Sequence, residues 1–431
     1  MGASKDFEVS IIGGGIGGLL AAIGLSRAGV PVQVFEAARQ FAEIGAGVSF
    51  GKNARNALAK LGLQKEFEEQ ATTIPSGIWF EWRNGQGQGQ ELITTTYSHP
   101  VGNSSVHRAQ FLDAMVKHVP KSISHFGKRL VSIEKLAHSA GKNVRLHFED
   151  GSSHDTDLVI GYDGIHSKVR EHLAGVNTES GASKLRWSGS WAWRGMIPTD
   201  NFLKGVPSKL GEHYSKTPQM FIGKDRHILI FPINNFRTIN VVAFATDRSQ
   251  WPERAKLKER EPWTQKSTTE EMISQFPGWA DDIVNILKCI EAPSKWALHE
   301  LSPGLDTFVD GTICIAGDAA HAGTPHQGAL AGQAIEDALF LTWLLSQPLV
   351  QRANLADALQ VYDLVRRPRA NKVVETSFEA GEIYEFAPKS IGPDFAQLQR
   401  ELESRYEWIW EHDHEEDFAQ ARREMKSRGL I

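Results

Sequence analysis

The first forty residues alternate between apolar runs and glycine. Glu8–Ile12 is a short run ending in a hydrophobic pair, and Gly13, Gly14, Gly15, Gly17 and Gly18 break up the next six positions. Leu19 to Ala28 then carries apolar residues at helical spacing and stops at Gly29, and Val32–Phe35 forms a second apolar run. This pattern predicts strand, turn, helix, strand: a βαβ unit. Further along, Ile228–Ile233 and Ile239–Ala245 read as two strands joined across Asn234-Asn235 within a strand-rich region from about Trp187 to Thr246. Thr312–Ala316 predicts another buried strand, and Ala334 to Leu345 a helix with Ile335, Leu339 and Trp343 on one face. From about Pro368 onward the pattern is helical. Gly85–Gln90, a run of alternating Gly and Gln, reads as a flexible surface loop.

The chain has 431 residues, room for two or three domains. A net charge of −5 gives no global field for nucleic acid or anionic membrane. Any anionic ligand must therefore be held by a few local cations. With only two cysteines, Cys289 and Cys314, there is no disulfide framework, and Cys314 sits in an apolar strand where a core role is expected. No apolar stretch reaches the roughly 18 residues of a membrane span, and the start lacks a signal-peptide pattern, so a cytoplasmic protein is expected.

The chemistry begins at Gly13-x-Gly15-x-x-Gly18, between a strand and a helix, with Glu36 closing the next strand. Glycines at these places allow the tight turn, the approach of backbone to a pyrophosphate, and close helix–strand packing. The helix N-terminus offers free N–H groups to phosphates, and Glu36 can accept hydrogen bonds from ribose hydroxyls. Taken alone, this motif does not separate FAD from NAD. Two later segments add to it. Asp157–Gly161 delivers Asp163-Gly164 to a turn before Ser167–Arg170 begins a helix, and Gly317-Asp318 comes directly after the strand Thr312–Ala316. Asp318 there can hold ribityl hydroxyls; the plainer alternative is that both aspartates cap turns. A second Gly-x-Gly-x-x-Gly after a strand is absent.

These three segments, in this order, resemble the class A flavoprotein aromatic hydroxylases. The likeness narrows to the bacterial and fungal salicylate hydroxylases through Glu43–Gly51, Trp79–Arg83, Ser105–Ala109, Arg194–Met196, Pro218–Met220, Asn240–Phe244, Thr324–Gly328 and Arg366–Ala370. The resemblance implies an α/β fold of the p-hydroxybenzoate hydroxylase kind, in which an antiparallel substrate sheet interrupts a Rossmann-like FAD domain and a helical tail completes the chain. The expected partition is 1–75, 100–185 and 297–370 for FAD, 76–99 and 186–296 for substrate, and 371–431 for the tail.

The same resemblance implies FAD as cofactor and NADH or NADPH as a transient visitor. It implies decarboxylative hydroxylation of salicylate to catechol with O2, through a C4a-hydroperoxyflavin. It also puts Arg108 on the flavin side, where an ordinary surface ion pair is the alternative. Such a site needs a cation for the carboxylate, a base or donor at the phenol oxygen, and apolar walls that keep out water. Arg194 and Arg248 are candidates for the cation, though either could be a surface salt bridge. His326, after Pro325, and His227 are candidates for the base, or else ordinary hydrogen-bonded histidines. Met220 and Trp82 fit pocket wall and core equally.

Gly328, Leu330 and Ala331 belong to the loop expected beside the flavin ring. Salicylate hydroxylases usually have Gly-Ala-Gly-Ala-Gly where this chain has Gly328-Ala329-Leu330-Ala331-Gly332. Leu330 therefore predicts crowding of the ring and weaker coupling. No metal site is expected: His412–Asp417 reads as a solvated helix start. Two other functions fit the same residues, hydroxylation of a related phenolic acid or secondary metabolite, and flavin binding without efficient turnover. The oligomer expected is a monomer or homodimer.

Overall fold

The computed structural model describes residues 5–41, 46–87, 90–137, 141–176, 185–206, 209–249, 262–388 and 391–430. The Glu43-Ile44-Gly45 part of the family-like segment lies outside them.

Val9–Ile12, Val32–Glu36, Ser124–Phe126, Leu158–Gly161 and Ile313–Ile315 form a parallel sheet, extended at one edge by the antiparallel strand Val309–Asp310. The central strands Val9–Ile12, Leu158–Gly161 and Ile313–Ile315 are buried along their length because elements cover both faces. The helix Ile16–Arg27 packs against the helix Leu330–Ser346 on one side. On the other lies a small sheet of Leu130–Lys135, Val144–Phe148 and Ser153–Thr156, where Phe148 stacks on Phe35. Cys314 is sealed in this core, as expected.

The second sheet has eight strands, ordered Thr264–Lys266, Ser294–Glu300, Arg186–Pro198, Thr238–Thr246, Arg226–Ile233, Gln219–Gly223, Ile78–Asn84 and Leu92–Tyr97. All neighbours are antiparallel except Gln219–Gly223 with Ile78–Asn84. Alternation along its strands feeds two different cores. Trp193, Phe221, Ile228, Ile230 and Val241 face the short helices, including Asp281–Lys288 with its Ile283, Ile286 and Leu287. Met220, Leu229, Phe231, Val242 and Phe244 face the opposite way, toward the C-terminal helices.

The hairpin forms where expected, but its turn needs positive φ at Asn234, Asn235 and also Phe236. The substrate sheet takes its strands from both expected pieces and runs on to Glu300, four residues past the expected edge at 296. The boundary expected at 370 is corrected: it falls inside one helix, Leu355–Tyr384, which continues through Pro368. Gly85–Gln90 is also corrected in its described residues. Gly85 donates to Ile222 O and packs on Trp279, and Tyr214 donates to Gln90 Oε1 at 2.5 Å. Among the described residues, no helix is long and apolar enough to cross a membrane.

Candidate active site

The glycine turn has the geometry of a dinucleotide cradle. A Cβ on Gly13, where φ is +105°, would lie 2.3 Å from Tyr162 O, and one on Gly18 would lie 2.1 Å from Gly13 O. Neither position tolerates a side chain. Gly15 is the N-cap of the helix Ile16–Arg27 and offers no capping side chain, so that N-terminus stays open to an anion. Glu36 ends its strand and steadies the turn, accepting from Gly14 N and Ala38 N at 2.7 Å each. Asp318 comes after Gly317, where φ is +58°, and its carboxylate is exposed, with no hydrogen bond among the described residues. An open helix terminus, a glycine cradle and an unengaged carboxylate fit FAD.

Asp163 is held by the segment that follows it. Its carboxylate accepts from Ser167 Oγ at 2.5 Å, Lys168 N at 2.7 Å and Val169 N at 3.1 Å. These bonds cap the helix Lys168–Val176. Burial raises its pKa against the pull of those bonds.

Under the cradle lies a closed ionic network. Arg366, fully buried, donates to Asp337 at 3.0 Å, Glu336 at 2.7 Å and Gln333 Oε1 at 2.9 Å. Arg369 pairs with Glu336 at 2.8 Å, and Asn53 donates to the same carboxylate at 2.6 Å. Asp337 also accepts from Gly317 N at 3.0 Å and bonds His321 at 2.6 Å. The network thereby fixes the turn that presents Asp318. Glu336 also lies near His412 and His414, a grouping with the spacing of a metal site. Two arginines already pair with that carboxylate. Asp413 does cap the helix His414–Ser427, as the sequence suggests, but His414 is buried against Asn53 O rather than solvated.

The substrate sheet sets the other wall. Directly opposed residues share a face, so the registers put Trp82, Met220, Leu229, Val242 and Arg194 in one transverse row. Ile222, His227, Phe244 and Ala192 form the next row on that face. Trp82 is sealed in the core with its indole N–H on Thr96 Oγ1. Met220, its neighbour in the row, is likewise buried. Leu229 and Val242 each keep 9% exposure, and they make an apolar floor beside Arg194.

Arg194 is half-buried, its guanidinium over the Trp296 ring at 5.1 Å and its Nε sealed from solvent without an acceptor among the described residues. Burial, and then the neighbouring positive charge of Arg108, bring its pKa down to about 10. Arg108 opens the helix Arg108–Val116, its N–H on Ala46 O at 2.9 Å. Asn240 Oδ1 accepts from Gly47 N at 2.9 Å, so the eight-stranded sheet meets the strand Gly47–Phe50 here.

The two histidines come together. His326 Nδ1 lies 3.2 Å from His227 Nε2, and His227 Nδ1 lies 3.0 Å from Glu385 Oε1. Phe244 stacks on His227 with ring centroids 4.2 Å apart. Burial, followed by the charge of His227, pushes the His326 pKa down to about 3. Burial acts to raise Glu385, but the bond to His227 and the charges of His227 and Arg248 outweigh it and hold its pKa at about 2. Arg248 is engaged by carboxylates of the fold. Its three guanidinium nitrogens pair with Asp225 at 2.8 Å, Glu382 at 2.6 Å and Glu385 at 2.7 Å.

Pro325 and His326 sit in the turn closed by Gly328 N on Pro325 O at 3.0 Å. In that loop, positive φ falls at Gly328, at +62°. Leu330 begins the helix Leu330–Ser346, with Ala331 next, and packs toward Gly323 and the sheet-side core. The backbone at Leu330 therefore makes no demand for glycine.

Comparison with known proteins agrees with this geometry. A family model described as an FAD binding domain matches residues 6–377. A salicylate hydroxylase of Pseudomonas putida is 43% identical, covering 96% of this chain and 94% of its own length. A 6-methylsalicylate 1-monooxygenase of Aspergillus terreus is 38% identical, over 95% and 90%. The solved structure of a salicylate hydroxylase substrate complex superposes with a TM-score of 0.87 at 38% identity, covering 96% of this chain and 98% of that one. The cradle and sheet are thus those of an FAD-dependent monooxygenase. The chain belongs to the salicylate hydroxylase family.

Proposed function

We propose that this enzyme hydroxylates salicylate, or a ring-substituted salicylate, with loss of CO2 to give the catechol. NADH or NADPH acts as a transient reductant, because the sequence holds no second dinucleotide motif. The observation that carries this reading is Arg194, a half-buried cation beside an apolar floor with a sealed nitrogen that has no acceptor among the described residues. A carboxylate is the natural counter-charge for it.

FAD bound in the glycine cradle supplies the activation of O2 and the hydroxyl transfer. The chain's own residues do the rest. Arg194 holds the carboxylate so that the carbon bearing it is the one attacked. Leu229, Val242 and Phe244 keep water from the reacting face. His326, neutral at physiological pH, accepts the phenol proton, and the electron density left on the oxygen activates the ring carbon beside it. Arg194 and His227 stand two strands and one row apart, about 12 Å between Cα atoms from standard sheet spacing. With both side chains reaching inward, that span suits one substituted benzene ring. The same reading places the enzyme in the cytoplasm.

The test is stoichiometry. The FAD-loaded protein is given salicylate, O2 and each nicotinamide, and catechol and CO2 are counted against nicotinamide consumed. Near-equal amounts are expected. Nicotinamide oxidation that releases only peroxide, with salicylate and its ring-methylated form alike, would overturn the proposal.

A further inference from the structure

Behind the base lies a chain of groups that take no part in holding the carboxylate or excluding water. Glu385 stands just past the helix Leu355–Tyr384, fully buried, and its carboxylate joins His227 to Arg248. The direction of each hydrogen bond is set by what each atom can do. An ionised carboxylate only accepts, so His227 Nδ1 carries a hydrogen. With His227 taken as neutral, its Nε2 is bare and accepts, so His326 Nδ1 carries a hydrogen as well. Neutral His326 is left with a bare Nε2, which has no hydrogen-bond partner among the described residues. One carboxylate therefore sets the tautomers of two histidines and aims a lone pair from the second.

We propose that Glu385 is the positioning residue of a two-histidine proton relay, which draws the phenol proton from His326 to His227. The proposal rests on the substrate reading above. The phenol O–H bond breaks and its proton joins His326 Nε2. The hydrogen on His326 Nδ1 passes to His227 Nε2. His227 ends as an imidazolium with its Nδ1–H still on Glu385, and the phenolate oxygen keeps the electron pair. No electron leaves the system, and the positive charge ends two groups from the ring.

The groups facing the relay are compatible with that end state. Phe244 and Tyr384 wall His227 with uncharged rings. Arg248 bonds Glu385 and neither histidine; its charge also acts on His326 and is balanced by Asp225 and Glu382. Gly381 leaves the space that His326 fills, since a Cβ there would lie 2.5 Å from its Cδ2. A side chain at 381 would push the relay apart.

Two measurements test the relay, and the first needs neither substrate nor turnover. In protein labelled with 15N-histidine and assigned through His227→Gln and His326→Gln, both rings should be neutral and Nδ1-protonated near pH 7. An Nε2-protonated His227 or His326 in the wild type would overturn the relay. The second uses 5-nitrosalicylate, whose phenolate absorbs in the visible. Glu385→Gln keeps an oxygen for His227 but removes the charge. It should lower the bound phenolate fraction about tenfold at fixed pH, with FAD content unchanged, and Glu385→Asp should restore part of it. An unchanged phenolate fraction in a folded, FAD-loaded Glu385→Gln would overturn the proposal. If the wild type binds no nitrosalicylate and makes no catechol, the substrate reading fails, and the tautomers still decide the relay.

Discussion

Arg366 and Arg194 both turn inward, and they are treated in opposite ways. Arg366 meets two carboxylates and a glutamine side chain beneath the cofactor turn. Arg194 meets the face of Trp296 and leaves a sealed nitrogen without an acceptor among the described residues. A buried charge is tolerated when its partners come with the fold. A charge kept without one costs stability unless a ligand brings it. The closed network builds the scaffold, and the open cation marks where chemistry enters. The contrast separates structural from functional charge more sharply than burial does.

The largest effect should come from breaking the closed side. Arg366→Met leaves Asp337 and Glu336 buried with one partner fewer, and should cost about 3–5 kcal/mol. Denaturant midpoints check this; a loss below about 1 kcal/mol would mean that the carboxylates find water or take up protons. Arg194→Met should do the reverse, leaving stability equal or slightly higher. Salicylate affinity should fall by about 10- to 100-fold, from the roughly 1.5–3 kcal/mol of a charged hydrogen bond. Titration of the FAD-loaded protein reads this, and equal affinity would remove Arg194 from the site.

Acid tests the histidine relay against both. The His326 pKa in the fold is about 3, against 6.5 ordinarily, so the unfolded chain binds its proton first as pH falls. Its stabilising contribution is complete above 6.5 and is lost from there down to about 3. Glu385, at about 2 against 4.5, contributes fully above 4.5 and loses its share below that value. Stability should therefore decline from pH 6.5 downward, and His326→Gln should flatten the slope between 6.5 and 4.5. An unchanged slope would mean that His326 does not titrate on unfolding. The smallest effect is expected at Leu330→Gly. Leu330 is the first residue of a helix in ordinary backbone geometry, so glycine should cost about 0.5–1 kcal/mol and leave catechol formed per nicotinamide unchanged. A rise in coupling would show that Leu330 does crowd the flavin.

Much of the fold is legible in the sequence because local signals carry it: the glycine turn, the apolar strands and the hairpin each lie within a few residues. The site is legible in part. His227 and His326 stand out as residue types at strand and loop positions, yet nothing local reveals that they touch. Glu385 is invisible for the same reason. It looks like one more acid at the end of a charged helix until the fold carries it to a strand 158 residues earlier. Asp163 and Arg248 have the right chemistry for cofactor and substrate, but neighbours that only the tertiary structure supplies have already engaged them. Gly85–Gln90 misleads because composition suggests freedom, while Trp279 and Tyr214 tie it down.

The helix Leu355–Tyr384 carries Arg366 on its body and delivers Glu385 just beyond its end. It acts as a phased shaft between the cofactor network and the relay. Each residue of a helix advances about 1.5 Å and turns about 100°. One residue inserted between Arg366 and Gly381 would move Glu385 little along the axis, yet swing it away from His227 and toward another quadrant. Arg366 would stay seated, and the cofactor side would register nothing. Such a helix can change length only in steps near a whole turn, so its residue count is under tighter control than most of its residue identities.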